Sequence, residues 1–470
     1  MTNTLPSTAG QARESAVGQH RPKRSAMGLG MGLLTPLLGN EFLDRHNLRG
    51  PLNRALKFGV KHGFSAAGAS TRQFKKIQAT GKKATRLERG TADYFDLTPD
   101  DDQKMIVETV KEFAEEILRP AARDADDAAC YPTGLIAKAA ELGITAIKVP
   151  EVFDGIAEQR TTVTNALVAE ALSYGDMGLA LPILAPGGVA SALTHWGSAD
   201  QQATYLKEFA GENVPQACLA IAEPHPLFDP TMLKTTAVRT PSGYRLDGVK
   251  SLIPAAADAE LFVVAAQLNG KPSLFIVESS TVGLSVHADR SMGLRAAALG
   301  RIELDKVSVP LSARLGEDDA SDADCARDYA RDYARDYSEA IALSRLGWAA
   351  LAVGTSHAVL DYVIPYVKER EAFGEPIAHR QAVAFMCANI AIELDGLRLI
   401  TWRGAARADQ GLPFAREAAL ARKLGTDKGM QIGLDGVQLL GGHGFTKEHP
   451  VERWYRDLRA IGVAEGVVVL

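Results

Sequence analysis

Cysteine is scarce in this 470-residue chain: the four, Cys130, Cys218, Cys325 and Cys387, lie far apart, with no CxxC pair and no His-rich neighbourhood. That spacing argues against a disulfide framework or a zinc site, so a reducing compartment is expected. Aromatic residues make up 6% of the chain. With no recognisable nucleic-acid module beside them, nucleic acid is set aside as a partner. Acids are sparse only at the start. Residues 1–90 carry sixteen Lys or Arg against Glu14, Glu41, Asp44 and Glu88, a balance of +12 within a whole-chain total of −5. The remainder is therefore at −17, and the chain reads as a basic arm on an acidic body.

The arm, residues 1–97, contains an apolar run from Met27 to Gly39 that is too short to span a bilayer and is broken by Gly28, Gly30, Gly32 and Pro36. It begins late for a signal peptide and no small-x-small cleavage site follows. Leu52, Ala55, Leu56, Val60 and Phe64 fall at helical spacing with Arg54, Lys57 and Lys61 on the other side, the pattern of a basic amphipathic helix. Three readings stay open: an interfacial helix on anionic lipid, a removable organelle-targeting peptide, or a solvated tail. The expected location is the cytoplasm, with peripheral membrane contact through residues 1–90, or alternatively the mitochondrial matrix.

The body is long enough for two or three packed units. Thr98, with Pro99 and Asp100 to Asp102 behind it, is the expected N-cap of a first helix that buries Ile106, Val110, Phe113 and Ile117 and ends near Pro120. Helical patterns follow at 134–142, 161–173 and 201–209. From about 215 the period changes, with strand candidates at 261–266, 273–277 and 301–304 and turn signals at 240–243, 246–248 and 269–271. A threefold Ala-Arg-Asp-Tyr repeat, Ala326 to Tyr337, suits an exposed helical surface. Long helical patterns return at 338–369, 381–410 and 413–436. The expected fold class is α+β, mainly α: a helical domain over 98–214, a small antiparallel β domain over 215–315 and a helical bundle over 316–470.

Two stretches carry more chemistry than the rest. Gln438 opens a segment with Gly441, Gly442 and Gly444, where backbone can approach a ligand closely. The segment continues through Pro450, Val451, Glu452 and Arg453 to Arg456 and Asp457. It finishes in an apolar stretch, Ala460 to Leu470, whose only ionisable side chain is Glu465. Taken alone, such a carboxylate is more often a solvated one. The second stretch holds Arg370, Phe373, Gly374, Pro376, Ile377 and, a little later, Gln381.

Together these stretches resemble two signatures of the acyl-CoA dehydrogenase family, a Gln-x-x-Gly-Gly-x-Gly-aromatic turn ending in a Glu-Gly pair and an Arg-x-x-Phe-Gly-x-Pro-Ile motif. The resemblance extends over roughly 98–470. It implies α,β-desaturation of an acyl-CoA thioester in fatty-acid or lipid metabolism, with FAD as cofactor and an electron-transfer flavoprotein as acceptor, in a homodimer or homotetramer. Glu465 would be the catalytic base, set among Val463, Ala464, Val467 and Val468, where burial disfavours its charge. Arg370, Phe373, Gln381, Gln438, Gly441 and Gly442 would contact the FAD of a neighbouring subunit, the guanidinium near the pyrophosphate. Without the resemblance, Phe373 reads as core packing. Some family members hold the base on an earlier helix just before an Arg that matches Arg345, and Ser344 stands in that place here.

The middle domain departs from the family pattern. Ala220 to Asp229 is similar to a flavin and substrate loop and keeps Glu223, a further cofactor-binding candidate, with Pro224 and Asp229. It has Ala222 where a hydroxyl residue is usual. Tyr244, Gly248 and Lys250 resemble a strand that normally runs into Trp-Ile-Thr or Trp-Ile-Ser against the flavin, but Leu252, Ile253 and Pro254 follow. Proline supplies no backbone donor. The hydroxyl residue and helix usual after Glu-Gly are not matched either. These departures suggest weaker FAD binding and keep two alternatives open, a flavin-poor structural subunit beside an active homologue and a flavin-dependent oxidase.

Overall fold

A computed structural model describes residues 98–157, 161–211, 213–317 and 332–470. The amphipathic pattern at Leu52 to Phe64 and the first half of the Ala-Arg-Asp-Tyr repeat, residues 326–331, lie outside the described residues. The first helices are α1 (Asp101–Phe113) and α2 (Arg119–Ala128), joined without a break by a π-turn, Ala114–Leu118. Asp100, not Thr98, is the N-cap of α1: its carboxylate accepts from Gln103 N at 2.7 Å while Gln103 Oε1 accepts from Asp100 N at 3.2 Å. This reciprocal pair satisfies two end donors at once, which Thr98 is too far upstream to do. The helix also runs past Pro120, because the wide turn before it relieves the clash a proline ring makes with the preceding turn.

After α3 (Leu135–Glu141) come α4 (Thr162–Gly175), α5 (Met177–Trp196) and α6 (Ala199–Tyr205). Helix α5 left no periodic signal in the sequence, since it is apolar all round and buried on nearly every face. Among the described residues it is the one helix long and apolar enough to cross a membrane, but its burial marks it as a core helix. Its N-cap, Asp176, accepts from Leu179 N at 3.0 Å and from Arg453 Nε at 2.9 Å, tying the first helices to the C-terminal region.

The middle of the chain is a seven-stranded sheet: β1 (Ala217–Ala220), β2 (Thr236–Thr240), β3 (Gly243–Ile253), β4 (Leu261–Leu268), β5 (Lys271–Glu278), β6 (Leu284–Ala288) and β7 (Gly300–Val309). The expectation of an antiparallel unit is corrected in part: the other strand pairs are antiparallel, but β1 and the start of β2 pair with β4 in parallel. Such pairing joins segments distant in sequence and leaves no hairpin signal to read. Turns do occur at 240–243 and 269–271, where the β2–β3 and β4–β5 hairpins close. Residues 246–248 are instead inside β3, at a shift of register against β7.

The chain then returns to helices: α7 (Tyr333–Glu369), α8 (Gln381–Asp409), α9 (Ala415–Leu424), α10 (Met430–Leu439) and α11 (Val451–Leu458). A two-strand hairpin, Glu371–Ala372 with Glu375–Pro376, joins α7 to α8. The last tyrosine of the repeat is not an exposed residue as expected. Tyr337 is buried and donates to Pro230 O at 2.7 Å, and the Arg314 guanidinium covers Tyr333. The α7 helix packs on α4, α8 and α9 and is the spine on which the site is built.

Candidate active site

Helix α7 presents Ser344, Arg345 and Trp348 toward the segment that ends in Glu465. Ser344 Oγ and Trp348 Nε1 donate to the Gly466 carbonyl at 2.6 and 2.9 Å, so the peptide just after the carboxylate is fixed by two buried donors. Gly466 has φ 77 and pairs with Ala220 at the end of β1. A Cβ there would press on Ile221 as well as strain the backbone, so glycine suits both demands.

The Glu465 side chain is only 6% exposed. Arg345 donates to it through Nη2 at 2.9 Å and Nε at 3.2 Å, both to Oε1. Arg422 of α9 brings a second guanidinium to within 3.5 Å of the same oxygen. Of the apolar neighbours expected around it, Ala464, Val467 and Val468 are buried but Val463 is exposed, and two cations that were not expected face the carboxylate. Arg422 carried no signal in the sequence, because nothing in a helical pattern tells which distant loop one arginine will meet.

Glu223 occupies a different environment from the one expected of a cofactor contact. It is buried beside Lys250, 2.9 Å away, and also accepts from Lys234 N at 2.8 Å and Thr235 N at 2.9 Å. Burial opposes its charge, but Lys250 and the two backbone donors outweigh that, and its carboxyl lies below the ordinary value. Burial pulls Lys250 down to about 8 despite Glu223. With its oxygens spent inside the fold, Glu223 holds the loop after β1 in shape.

The remaining candidates gather elsewhere. Arg370, Phe373, Gln438, Gly441 and Gly442 line one groove of about 960 Å³, with Arg380 and His443 beside them. Gln381 heads α8, whose next residues, Ala382 and Val383, complete the wall. Phe373 is 96% exposed, which removes the core-packing reading. Open space faces Gly441 and Gly442 where side chains would otherwise project. Two guanidiniums beside accessible backbone suit a pyrophosphate.

A second cavity, of about 480 Å³, is bounded by Leu252, Met292, Leu294, Leu299, Val463 and Ala464. It lies against both the β3 end and the approach to Glu465. Its wall is largely apolar, and the Leu252 N–H is already donated to Asp289 Oδ2 at 3.1 Å.

The three segments of this architecture match, in order, models of the acyl-CoA dehydrogenase N-terminal domain over residues 100–213, middle domain over 218–307 and C-terminal domain over 335–467. A probable acyl-CoA dehydrogenase of Bacillus subtilis (strain 168) is 30% identical over 381 residues, covering 79% of this chain and 96% of that protein. The chain belongs to the acyl-CoA dehydrogenase family. It is also 29% identical to the mitochondrial short-chain specific acyl-CoA dehydrogenase of Mus musculus, over 77% of this chain and 86% of the other. The structure of butyryl-CoA dehydrogenase from Megasphaera elsdenii is similar with a TM-score of 0.70 at 25% identity, covering 78% of this chain and 95% of that one.

As a member of this family the protein is an FAD-dependent oxidoreductase acting on a CH–CH bond. The residues present fit the cofactor unevenly. The Arg370 groove suits its adenosine-diphosphate half, whereas the cavity at Leu252 offers a ring a mainly apolar surface, with Ser291, Thr426, Arg456 and Arg459 as the donor side chains in its lining.

Proposed function

We propose that the protein desaturates a short acyl-CoA thioester between its α- and β-carbons, with Glu465 taking the α-proton. The observation that carries this reading is the placement of Glu465: a buried carboxylate aimed by Arg345 on a peptide that Ser344 and Trp348 hold still. A base positioned this way acts without having to be ordered at each turnover. No side chain can accept a hydride, and FAD when bound supplies that acceptor. Arg370, Gln438, Gly441 and Gly442 would hold the cofactor, with Phe373 and Gln381 at the groove's edge. The groove's openness and the exposed Phe373 support completion of this site by a neighbouring protomer, in a homodimer or homotetramer. Electrons would pass to an electron-transfer flavoprotein, in fatty-acid metabolism. The short acyl group is supported by likeness to short-chain and butyryl-CoA enzymes.

One observation favours a second reading, a flavin-poor subunit that pairs with an active homologue: at the end of β3 the Leu252 N–H is spent and Pro254 has none. The visible spectrum of the purified protein separates the two. Bound flavin that bleaches on adding butyryl-CoA supports the enzyme reading, and its absence in protein purified with excess FAD would refute it. Peroxide released without a carrier would instead indicate an oxidase. For residues 1–90 we propose peripheral contact with anionic lipid in the cytoplasm, on their charge of +12. Equal vesicle binding by full-length protein and a chain lacking them would remove that proposal.

A further inference from the structure

The residues that follow the candidate base run through the protein interior. Val468, Val469 and Leu470 are buried, and Val467, also buried, has φ 67 directly after Gly466 at φ 77. A β-branched side chain in the left-handed region is a costly backbone choice. The segment is therefore held in place by its surroundings against its own preference.

Those surroundings are shaped to a strand's width. Gly188 of α5 and Gly347 of α7 approach so closely that a Cβ on the first would collide with the Val467 carbonyl and on the second with the Val468 carbonyl. Lys148 Nζ and Ser191 Oγ donate to the Val469 carbonyl at 2.5 and 3.3 Å, and Val467 N reaches Leu219 O of β1 at 3.3 Å. Lys148 is itself buried, and that burial pulls its ammonium down to about 7. A passage between α5 and α7 thus begins beside Glu465 and is filled by the chain itself.

An acyl group whose α-carbon meets Glu465 has to send the rest of its chain into neighbouring apolar space. We infer that Val467–Leu470 is a specificity-determining plug, occupying the passage that a longer acyl chain would enter and confining the substrate to short acyl groups. The inference rests on Glu465 being the base. Extended, four residues span roughly 13 Å, enough that their withdrawal would admit a medium-length chain.

The test uses the holoenzyme, full length and with Val468–Leu470 deleted so that the Gly466–Val467 peptide held by Ser344 and Trp348 is kept, titrated calorimetrically with butyryl-CoA and octanoyl-CoA. Deletion should tighten octanoyl-CoA by roughly tenfold or more, since several methylenes gain apolar cover, while butyryl-CoA changes by less than about threefold. Lys148→Met keeps the segment but removes a donor to Val469. It should shift octanoyl-CoA the same way by a smaller factor, and it serves where the deletion does not fold. Octanoyl-CoA affinity unchanged in the folded variants would overturn the plug. Cis-parinaric acid, an apolar chain without CoA, provides a readout independent of the reaction. If it binds the deleted protein and not the full chain while neither takes acyl-CoA, the plug stands and the acyl-CoA reading falls. If it binds both alike, the plug falls.

Discussion

Arg345 and Glu465, 120 residues apart in the chain, meet through Nη2 and Oε1 at 2.9 Å on the inner face of α7. The contact joins the helix that forms the spine of the C-terminal bundle to the segment that closes against β1. Arg422 approaches the same oxygen from α9. Three separate elements thus determine where one carboxylate points.

Replacing Glu465 by Gln tests that arrangement. The amide keeps the size and an acceptor for Arg345 but cannot take a proton, so kcat should fall by roughly 10²-fold or more while acyl-CoA binding stays close to wild type. A variant that loses binding and turnover together would show that the carboxylate holds the ligand instead. Turnover equal to wild type would sink the assignment.

The elements most legible in the sequence were those with a regular apolar period, such as α1 with Ile106, Val110 and Phe113 on its inner face, and the hairpins closed by turn residues. Helix α5 was not, because a helix buried on all sides has no polar face to mark its period. The groove residues, Arg370 to Gln381 and Gln438 to Gly442, were legible as two motifs, and the fold brings most of them to one wall. Glu223 looked like a site residue because it sat in a recognisable loop. Its real partners, Lys250 and two backbone donors across the loop, are set by chain path alone. The same holds for Arg422 and Tyr337, whose neighbours come from elements distant in sequence.

If Glu223 holds the loop after β1, its ion pair with Lys250 is a matter of stability. Both side chains are nearly inaccessible, at 2% and 0%. Lys250→Met would leave a buried carboxylate without its cation, a change that costs about 3–5 kcal/mol in comparable pairs. Urea unfolding should show that loss, and adding Glu223→Gln should recover part of it. Were Glu223 mainly a cofactor contact, Lys250→Met would lower FAD affinity without moving the unfolding midpoint of the apoprotein.

Glu170 of α4 gives the protein a pH dependence of its own. Its carboxyl is buried between Trp402 Nε1 at 2.6 Å and Arg398 Nε at 2.9 Å, on α8. Burial pushes it up to about 7 from an ordinary value of 4.5, against the opposing pull of Arg398 and Trp402. Below about 4.5 the carboxyl is protonated in both folded and unfolded chains, and its contribution to stability is complete. As pH rises toward 7 the unfolded chain gives up the proton while the folded one keeps it, so the unfolded state gains and stability falls. The fall is bounded at roughly 3 kcal/mol by the size of the shift. A glutamine at this position still accepts from Trp402 and does not titrate, and the 42% exposure of Arg398 leaves that cation solvated. Urea unfolding of wild type and Glu170→Gln at pH 5 and pH 8 should therefore diverge, the variant gaining on wild type by about 1–3 kcal/mol at the higher pH. Parallel loss in the two proteins would mean that Glu170 is already ionised in the fold at pH 5, with Arg398 outweighing its burial.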